Sequence, residues 1–451
     1  MIFDILSLQP PMKIALHDET RSILYGDMAK EIHIRTQLLE GVRALAIALD
    51  NGVDWVLWDL AALTLGIPCV PLPPFFTDEQ VSHALQASGV SHVVTPYGMK
   101  DTGHPAADIP PGTAKITFTS GTTGQPKGVC LPWGAMQNVA EGVVGMLGPS
   151  FSGVHASVLP LGILLENIAG VYAALLSGAS VHLSALSDFG PNYAHLHARL
   201  KKSGATSVIL VPEILRLLMA QVRVQGPLPD LKFIAVGGAK IDPALIAHAR
   251  AMNLPVYEGY GLSECASVVS LNVPDHDKAG SVGRLLPHVR AEIVDGEVVI
   301  SNPGFLGYIG EAAPARFPTG DLGAMDQDGF LSITGRSKNV LITSYGRNVS
   351  PEWVEAALLA QPAIAQAVVY GDSEPYLGAL IVPTYDGADV TAAICAANQS
   401  LPVYAQVREH HCIPMMSAKN GMLTGNGRPR REAVFKNYAY IFKKEKTHEF
   451  L

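Results

Sequence analysis

Thr119-Ser120-Gly121-Thr122-Thr123-Gly124-Gln125-Pro126-Lys127-Gly128 stands directly behind the apolar run 114–118. Glycines, four hydroxyls and a lysine describe a loop whose backbone N–H groups and side-chain donors can surround a polyphosphate. It is not a P-loop of the Walker kind, because the glycine-lysine-serine ending is absent and Pro126 precedes the lysine. A flexible Ser/Thr/Gly linker would have no reason to follow a buried strand so tightly. The stretch therefore reads as the anion-binding loop of a strand-based domain.

Outward from it, the chain alternates. Residues 43–49 read as a strand, 54–65 as an amphipathic helix and 67–72 as a second strand closed by prolines. Such alternation implies crossover units and a mainly parallel sheet. Residues 208–211, 233–236 and 255–257 are further short buried-strand candidates. From 291 to 333 the texture changes to short alternating segments with turn signals at Asp295-Gly296 and Asp328-Gly329, which predicts a small antiparallel barrel or sheet. A compact α+β pattern follows Arg336. The expected fold class is α/β: a large N-terminal domain over 1–335, with mainly parallel sheets, helices and a small distorted β-barrel, and a small α+β C-terminal domain over 336–451.

Composition bounds the function. The 451 residues are 48% apolar and 16% charged, enough to bury more than one core. A net charge of −8 argues against a nucleic-acid partner, which needs a clustered basic surface to displace counterions. The basic run Lys443, Lys444 and Lys446 is interrupted by Glu445 and reads as a solvated face. Five scattered cysteines without a CxxC pair fit neither a disulfide framework nor a zinc knuckle, so a reducing cytoplasm is the expected home. The N-terminus lacks the basic-then-apolar order of a signal peptide. The uncharged stretch 168–186 contains Gly170, Gly178 and His182 and reads as helix, glycine turn and strand, leaving at most peripheral membrane contact.

Three further stretches carry chemistry. In Gly259-Tyr260-Gly261-Leu262-Ser263-Glu264, a ring beside a glycine supplies a stacking surface for a purine. Its hydroxyl one residue before a carboxylate offers a phosphate donor next to a hard magnesium ligand. Gly237-Gly238-Ala239 lets a backbone come close to a ligand. In Thr319-Gly320-Asp321-Leu322 and Gly335-Arg336-Ser337-Lys338-Asn339, a carboxylate can accept from ribose hydroxyls and a guanidinium can reach ribose or phosphate oxygens.

Together with the first loop, these residues resemble the adenylate-forming (AMP-binding) superfamily, which includes acyl-CoA synthetases, fatty acyl-AMP ligases, nonribosomal-peptide adenylation domains and beetle luciferase. The resemblance covers about 13–438. It implies that Thr119, Ser120, Gly121, Thr122, Thr123, Gly124 and Lys127 grip the β and γ phosphates of ATP. It implies that Tyr260, between Gly259 and Gly261, stacks on adenine, that Ser263 touches the α-phosphate and that Glu264 holds Mg²⁺. It further implies that Gly237, Gly238 and Ala239 border the adenine and acyl pockets, that Asp321 takes the ribose and that Arg336 reaches ribose or phosphate. By the same resemblance Lys338 would be the hinge of a mobile C-terminal domain, and Gly346 would line the path of a pantetheine arm. All these groups are expected to converge around one ATP.

The family's C-terminal lysine, which bridges the substrate carboxylate and the α-phosphate, is replaced here by Arg428 in Gly427-Arg428-Pro429-Arg430-Arg431. A planar guanidinium is not a neutral exchange for a compact ammonium. Arg428 in the lysine's role, substitution by Lys419, and impaired adenylation are the alternatives. Amino-acid-activating members of the family place an aspartate early in the segment that matches 157–167, and here no acidic residue precedes Glu166, so the resemblance disfavours an amino acid as substrate. Ile163, Leu164, Leu165 and Val171 are candidates for an apolar slot, in which each buried CH₂ contributes about 0.8 kcal/mol.

The expected activity is ATP- and Mg²⁺-dependent conversion of a carboxylic acid, medium- or long-chain fatty or apolar aryl, to an acyl-adenylate with release of pyrophosphate. Transfer to a thiol of coenzyme A or of a carrier protein's phosphopantetheine follows. Lys127, Glu264, Arg336 and Arg428 would neutralise developing charge. The rival expectations are an acyl-AMP ligase with a non-CoA acceptor and a nucleotide-binding pseudo-enzyme.

Overall fold

The apolar runs between helices pair side by side in the computed structural model, which describes residues 7–119, 126–151, 153–345, 347–424 and 427–444. The chain divides into two compact units, Met1–Thr319 with Gly323–Ile333, and Gly320–Leu322 with Thr334–Leu451.

Two large sheets build the first unit. In the eight-stranded sheet, Thr113–Thr119, Cys69–Pro71, Leu45–Ile47 and His92–Thr95 are parallel neighbours, and antiparallel strands flank them on both sides. The short apolar runs Leu45–Ile47 and Cys69–Pro71 are buried on both faces, which is the pattern of a covered parallel sheet. The nine-stranded sheet runs Arg284–Leu285, Ser267–Leu271, Val256–Leu262, Phe233–Val236, Ser207–Leu210, Val154–Ser157, Ser180–Leu183, Ile14–His17, Ser22–Leu24. Its inner strands, from Val256–Leu262 to Ile14–His17, are all parallel.

The helix Val53–Leu65 corrects one expectation. It is not amphipathic: Trp55, Val56, Leu57, Leu60, Ala61 and Ala62 are all buried. Its polar Asp59 is buried too, where the carboxylate pairs with Lys115 at 2.9 Å and accepts from the Tyr172 hydroxyl at 2.7 Å. Lys115 also donates to Asn167. A polar residue thus marks an internal ionic network instead of a wet face.

Asn167 and Tyr172 belong to a π-helix, Leu165–Tyr172, that leads through Ala173–Leu176 and Gly178 into the strand Ser180–Leu183. This is the helix, glycine turn and strand expected of 168–186. Among the described residues, no helix is long and apolar enough to cross a membrane.

Arg290–Val294, Glu297–Ser301, Arg316–Met325 and Leu331–Arg336 form a four-stranded sheet, with Asp295-Gly296 at its first turn. Between its second and third strands, Gly307–Tyr308 and Glu311–Ala312 leave to extend the eight-stranded sheet, where Tyr308 sits opposite Val129. That excursion positions a ring beside the strand that follows the hydroxyl-rich stretch.

The second unit has its own core. Ile364–Tyr370, Leu377–Pro383 and Val407–Cys412 form a sheet, against which helix Pro351–Leu359 packs. Arg431 Nη2 donates to both Glu355 carboxylate oxygens at 2.6 Å, and its Nη1 donates to the Val369 carbonyl.

Candidate active site

Strands Thr113–Thr119 and Lys127–Pro132 pair antiparallel with Thr119 opposite Lys127, so the hydroxyl-rich stretch is the connection of a hairpin. Ser120, Gly121, Thr122, Thr123 and Gly124 lie outside the described residues. The hairpin's exit is anchored from another element. His83 Nε2 lies 3.0 Å from the carbonyl oxygen of Pro126 and therefore donates to it, while the His83 ring packs edge-on against Phe118. His83 is carried by helix Asp78–Ala87, whose start is closed by a capping box of Thr77 and Gln80.

Lys127 Nζ is 3.1 Å from Glu311 Oε2 and 4.7 Å from the Tyr308 ring centroid. The Tyr308 hydroxyl donates to Glu264 Oε1 at 2.7 Å. One ring therefore joins the loop lysine to the expected metal carboxylate. Burial and the Glu264 carboxylate push the Tyr308 phenol well above its ordinary value, so it remains a donor at neutral pH. The Lys127–Glu311 pair is exposed, at 47% and 60%, and such pairs contribute only about 0–1 kcal/mol. An incoming anion can compete for this ammonium.

The glycine segments also converge. Strands Phe233–Val236 and Val256–Leu262 run parallel with Val236 beside Glu258, which brings Gly237 against Gly259 at their carboxyl ends. Ligands of open α/β sheets bind at such strand ends. Gly238 has φ +86°, and a Cβ on Gly261 would stand 1.7 Å from the Ser267 carbonyl oxygen, so neither position accepts a side chain without strain. Tyr260 is half-buried beside them. Ser263 and Glu264 follow on a short 3₁₀ turn. Ala266 and Ser267 close that turn with φ +56° and +123°, strained backbone of the kind that accumulates at functional sites.

Glu258, just before Gly259, is buried, and its carboxyl is pushed up to about 8 by burial, with Lys240 opposing and Asp242 adding to the shift. A folded-state value above the unfolded one contributes stability below the unfolded value and loses it as pH rises through the folded one. Wild-type stability is thus expected to decline between about 4.5 and about 8 through this group. Glu258→Gln is expected to flatten that part of the decline. Urea midpoints at about pH 5 and about pH 9 check this, and parallel declines in the two proteins would contradict it.

The residues fit a magnesium ion of the substrate-bound kind. Mg²⁺ is commonly held by one or two carboxylates plus phosphate oxygens, not by a protein cage. Among the described residues no group of three or more His, Cys, Asp or Glu could hold a metal. Glu264 is a single carboxylate with one oxygen engaged by Tyr308.

In the second unit, Asp321 is buried and its Oδ1 lies 2.6 Å from Arg336 Nε. The expected ribose carboxylate and its neighbouring guanidinium are therefore partners of each other. Lys338 is exposed on the 3₁₀ turn Ser337–Asn339, and Asn339 donates to Glu352. Gly346 lies outside the described residues. Arg428 is exposed on a turn where its N–H donates to the Thr424 hydroxyl and its carbonyl accepts from the Thr424 N–H. The half-buried Arg431 anchors the chain three residues later. Lys419 is exposed on a separate turn.

The acid-binding candidates separate. Ile163 and Leu165 are half-buried, whereas Leu164 is 5% and Val171 0% exposed inside the main core. Val171 presents no accessible surface and Leu164 almost none. Periodicity cannot separate wall from core on a helix buried all round. Glu166 is fully buried: one oxygen pairs with His155 Nε2 at 3.0 Å, and the other accepts the Leu159 N–H.

The AMP-binding enzyme family matches residues 6–115 and 103–310, and the AMP-binding enzyme C-terminal domain matches 338–444. The chain belongs to the AMP-binding enzyme family. As an adenylate-forming ligase it has curated relatives that include the long-chain-fatty-acid–CoA ligase FadD15 of Mycobacterium tuberculosis, 28% identical over 415 residues, 72% of this chain and 68% of that protein. A 2-succinylbenzoate–CoA ligase of Bacillus velezensis is 29% identical over 418 residues, 82% of this chain and 84% of that protein. Among solved structures, the anthranilate CoA ligase AuaEII in complex with anthranoyl-AMP has a TM-score of 0.83 at 18% identity, covering 97% of this chain and 96% of that one. The o-succinylbenzoate CoA synthetase MenE of Bacillus subtilis, in complex with the acyl-adenylate intermediate OSB-AMP, has a TM-score of 0.79 at 21% identity, covering 96% and 97%. These two likenesses carry the fold.

Three residues of this AMP-binding enzyme's candidate site were missed from the sequence: His83, Tyr308 and Glu258. The Gly307-Tyr308 pair resembles any strand-edge dipeptide, and His83 stands in an ordinary polar helix. Glu258 directly precedes a quoted motif and was the one within reach.

Proposed function

We propose that this adenylate-forming ligase activates an apolar carboxylic acid, a fatty acid or an aryl acid, and passes the acyl group to the thiol of coenzyme A. The observation that carries the reading is the meeting of Lys127 and Glu264 around Tyr308, at the exit of the hydroxyl-rich hairpin. Bound Mg²⁺, held through Glu264, would supply charge neutralisation where two anions approach. Lys127 steadies the phosphate tail, Tyr260 receives the purine, and Asp321 accepts from the ribose hydroxyls. Arg428 takes the position of the family's lysine and brings a permanent positive charge to the reacting carboxylate and phosphate.

The segment around Glu166 supports an acid without an α-ammonium group. Glu166 is occupied by His155 and backbone N–H groups, so it offers no free carboxylate to a substrate cation. Ile163 and Leu165 keep apolar surface beside it. The names of the relatives span both a fatty and an aryl acid.

The test is acid-dependent exchange of labelled pyrophosphate into ATP across a panel of fatty, aryl and amino acids, followed by addition of coenzyme A. Exchange with apolar acids and thioester formation are expected. Exchange without a thioester would favour a carrier protein or another acceptor. ATP binding without exchange for any acid would favour a nucleotide-binding protein that Arg428 has disabled.

A further inference from the structure

We propose that Tyr308 is a positioning residue that holds the metal carboxylate and the loop lysine in one arrangement, setting where the phosphate tail of the nucleotide is received. This rests on the reading of Glu264 as metal ligand and Lys127 as phosphate ligand. Tyr308 makes both connections at once: its hydroxyl donates to Glu264 Oε1 at 2.7 Å, and its ring centroid lies 4.7 Å from Lys127 Nζ. A hydrogen bond from an outer residue fixes the orientation of a ligating carboxylate. The Tyr308 donor engages one oxygen, Oε1, and a carboxylate can ligate a cation through its other oxygen. A ring face attracts an ammonium without neutralising it, and the exposed Glu311 pair is weak enough for a phosphate to displace.

The backbone makes this placement specific. Tyr308 pairs with Val129, two residues beyond Lys127, in a strand that departs from its own sheet to join another. Gly307 has φ +128°, and a Cβ there would meet the Glu311 carbonyl oxygen at 2.1 Å, so only glycine lets the strand turn in. The Phe305 ring, edge-on at 5.3 Å, packs against the Tyr308 ring.

The experiment uses the full chain, with Mn²⁺ as the metal probe, and reads binding by calorimetry. Tyr308→Phe keeps the ring and deletes the donor; Tyr308→Leu deletes both. Tyr308→Phe is expected to weaken Mn²⁺·ATP binding by about 10- to 100-fold, the usual consequence of losing an outer-shell partner. Binding of AMP without metal should match wild type in both variants. Tyr308→Leu should in addition weaken binding of metal-free pyrophosphate, which Tyr308→Phe leaves unchanged.

Wild-type Mn²⁺·ATP affinity in Tyr308→Phe, while Glu264→Gln loses it, would overturn the role of Tyr308 alone. Wild-type affinity in Glu264→Gln would overturn the reading of Glu264, and the proposal with it. An equal loss for metal-free AMP in Tyr308→Phe would mark general damage and also overturn it.

Discussion

Asp321→Ala is expected to weaken ATP binding by about 100-fold or more. A carboxylate that accepts from two ribose hydroxyls makes two charged hydrogen bonds, each contributing about 1.5–3 kcal/mol. Asp321 is almost fully buried, so the nucleotide's hydroxyls would meet a carboxylate already stripped of most of its water. Its ion pair with Arg336 holds it in place, and alanine would release that guanidinium as well. Asp321→Asn separates the two effects: it keeps the shape and one acceptor, and its loss should be intermediate. Calorimetric titration with ATP checks both variants, alongside urea unfolding to verify that the second unit is folded. Wild-type ATP affinity in Asp321→Ala would remove this residue from the site.

The largest loss of stability is expected at Asp59. Asp59 and Lys115 are each 1% exposed and lie 2.9 Å apart, with Asn167 and Tyr172 completing the network. Removing one partner of a buried pair leaves an uncompensated charge and costs about 3–5 kcal/mol. Asp59→Ala should therefore lower the urea midpoint of the first unit sharply. The double change Asp59→Leu with Lys115→Met, which replaces the pair by apolar groups, should recover most of the loss. A single variant as stable as wild type would show that Lys115 finds another partner. The network reaches the π-helix Leu165–Tyr172, which carries candidate acid-binding residues, so the single variant should also blur discrimination between acids.

Some of the site was legible because its chemistry is local in sequence. A loop that must follow a strand and surround an anion needs glycines and hydroxyls within about ten residues, and 119–128 has them. The crossover alternation in 43–72 appears as the parallel strands Leu45–Ile47 and Cys69–Pro71 around a helix. Propensity and spacing act over one or two turns of chain, and these features need nothing longer. The amphipathic reading of 54–65 failed for the same reason. Local pattern takes Asp59 as solvent-facing, whereas its partner Lys115 is 56 residues away and folds onto it.

The sequence by itself determined that this chain belongs among adenylate-forming enzymes, since each motif is a short run with its own stereochemical demand. Only the tertiary structure decided which residue joins them. Tyr308 lies 44 residues from Glu264, and its partner strand was set by a glycine that lets the backbone cross from one sheet to another. Contacts of that kind depend on strand register, and register is fixed by burial of whole faces instead of by any neighbouring residue.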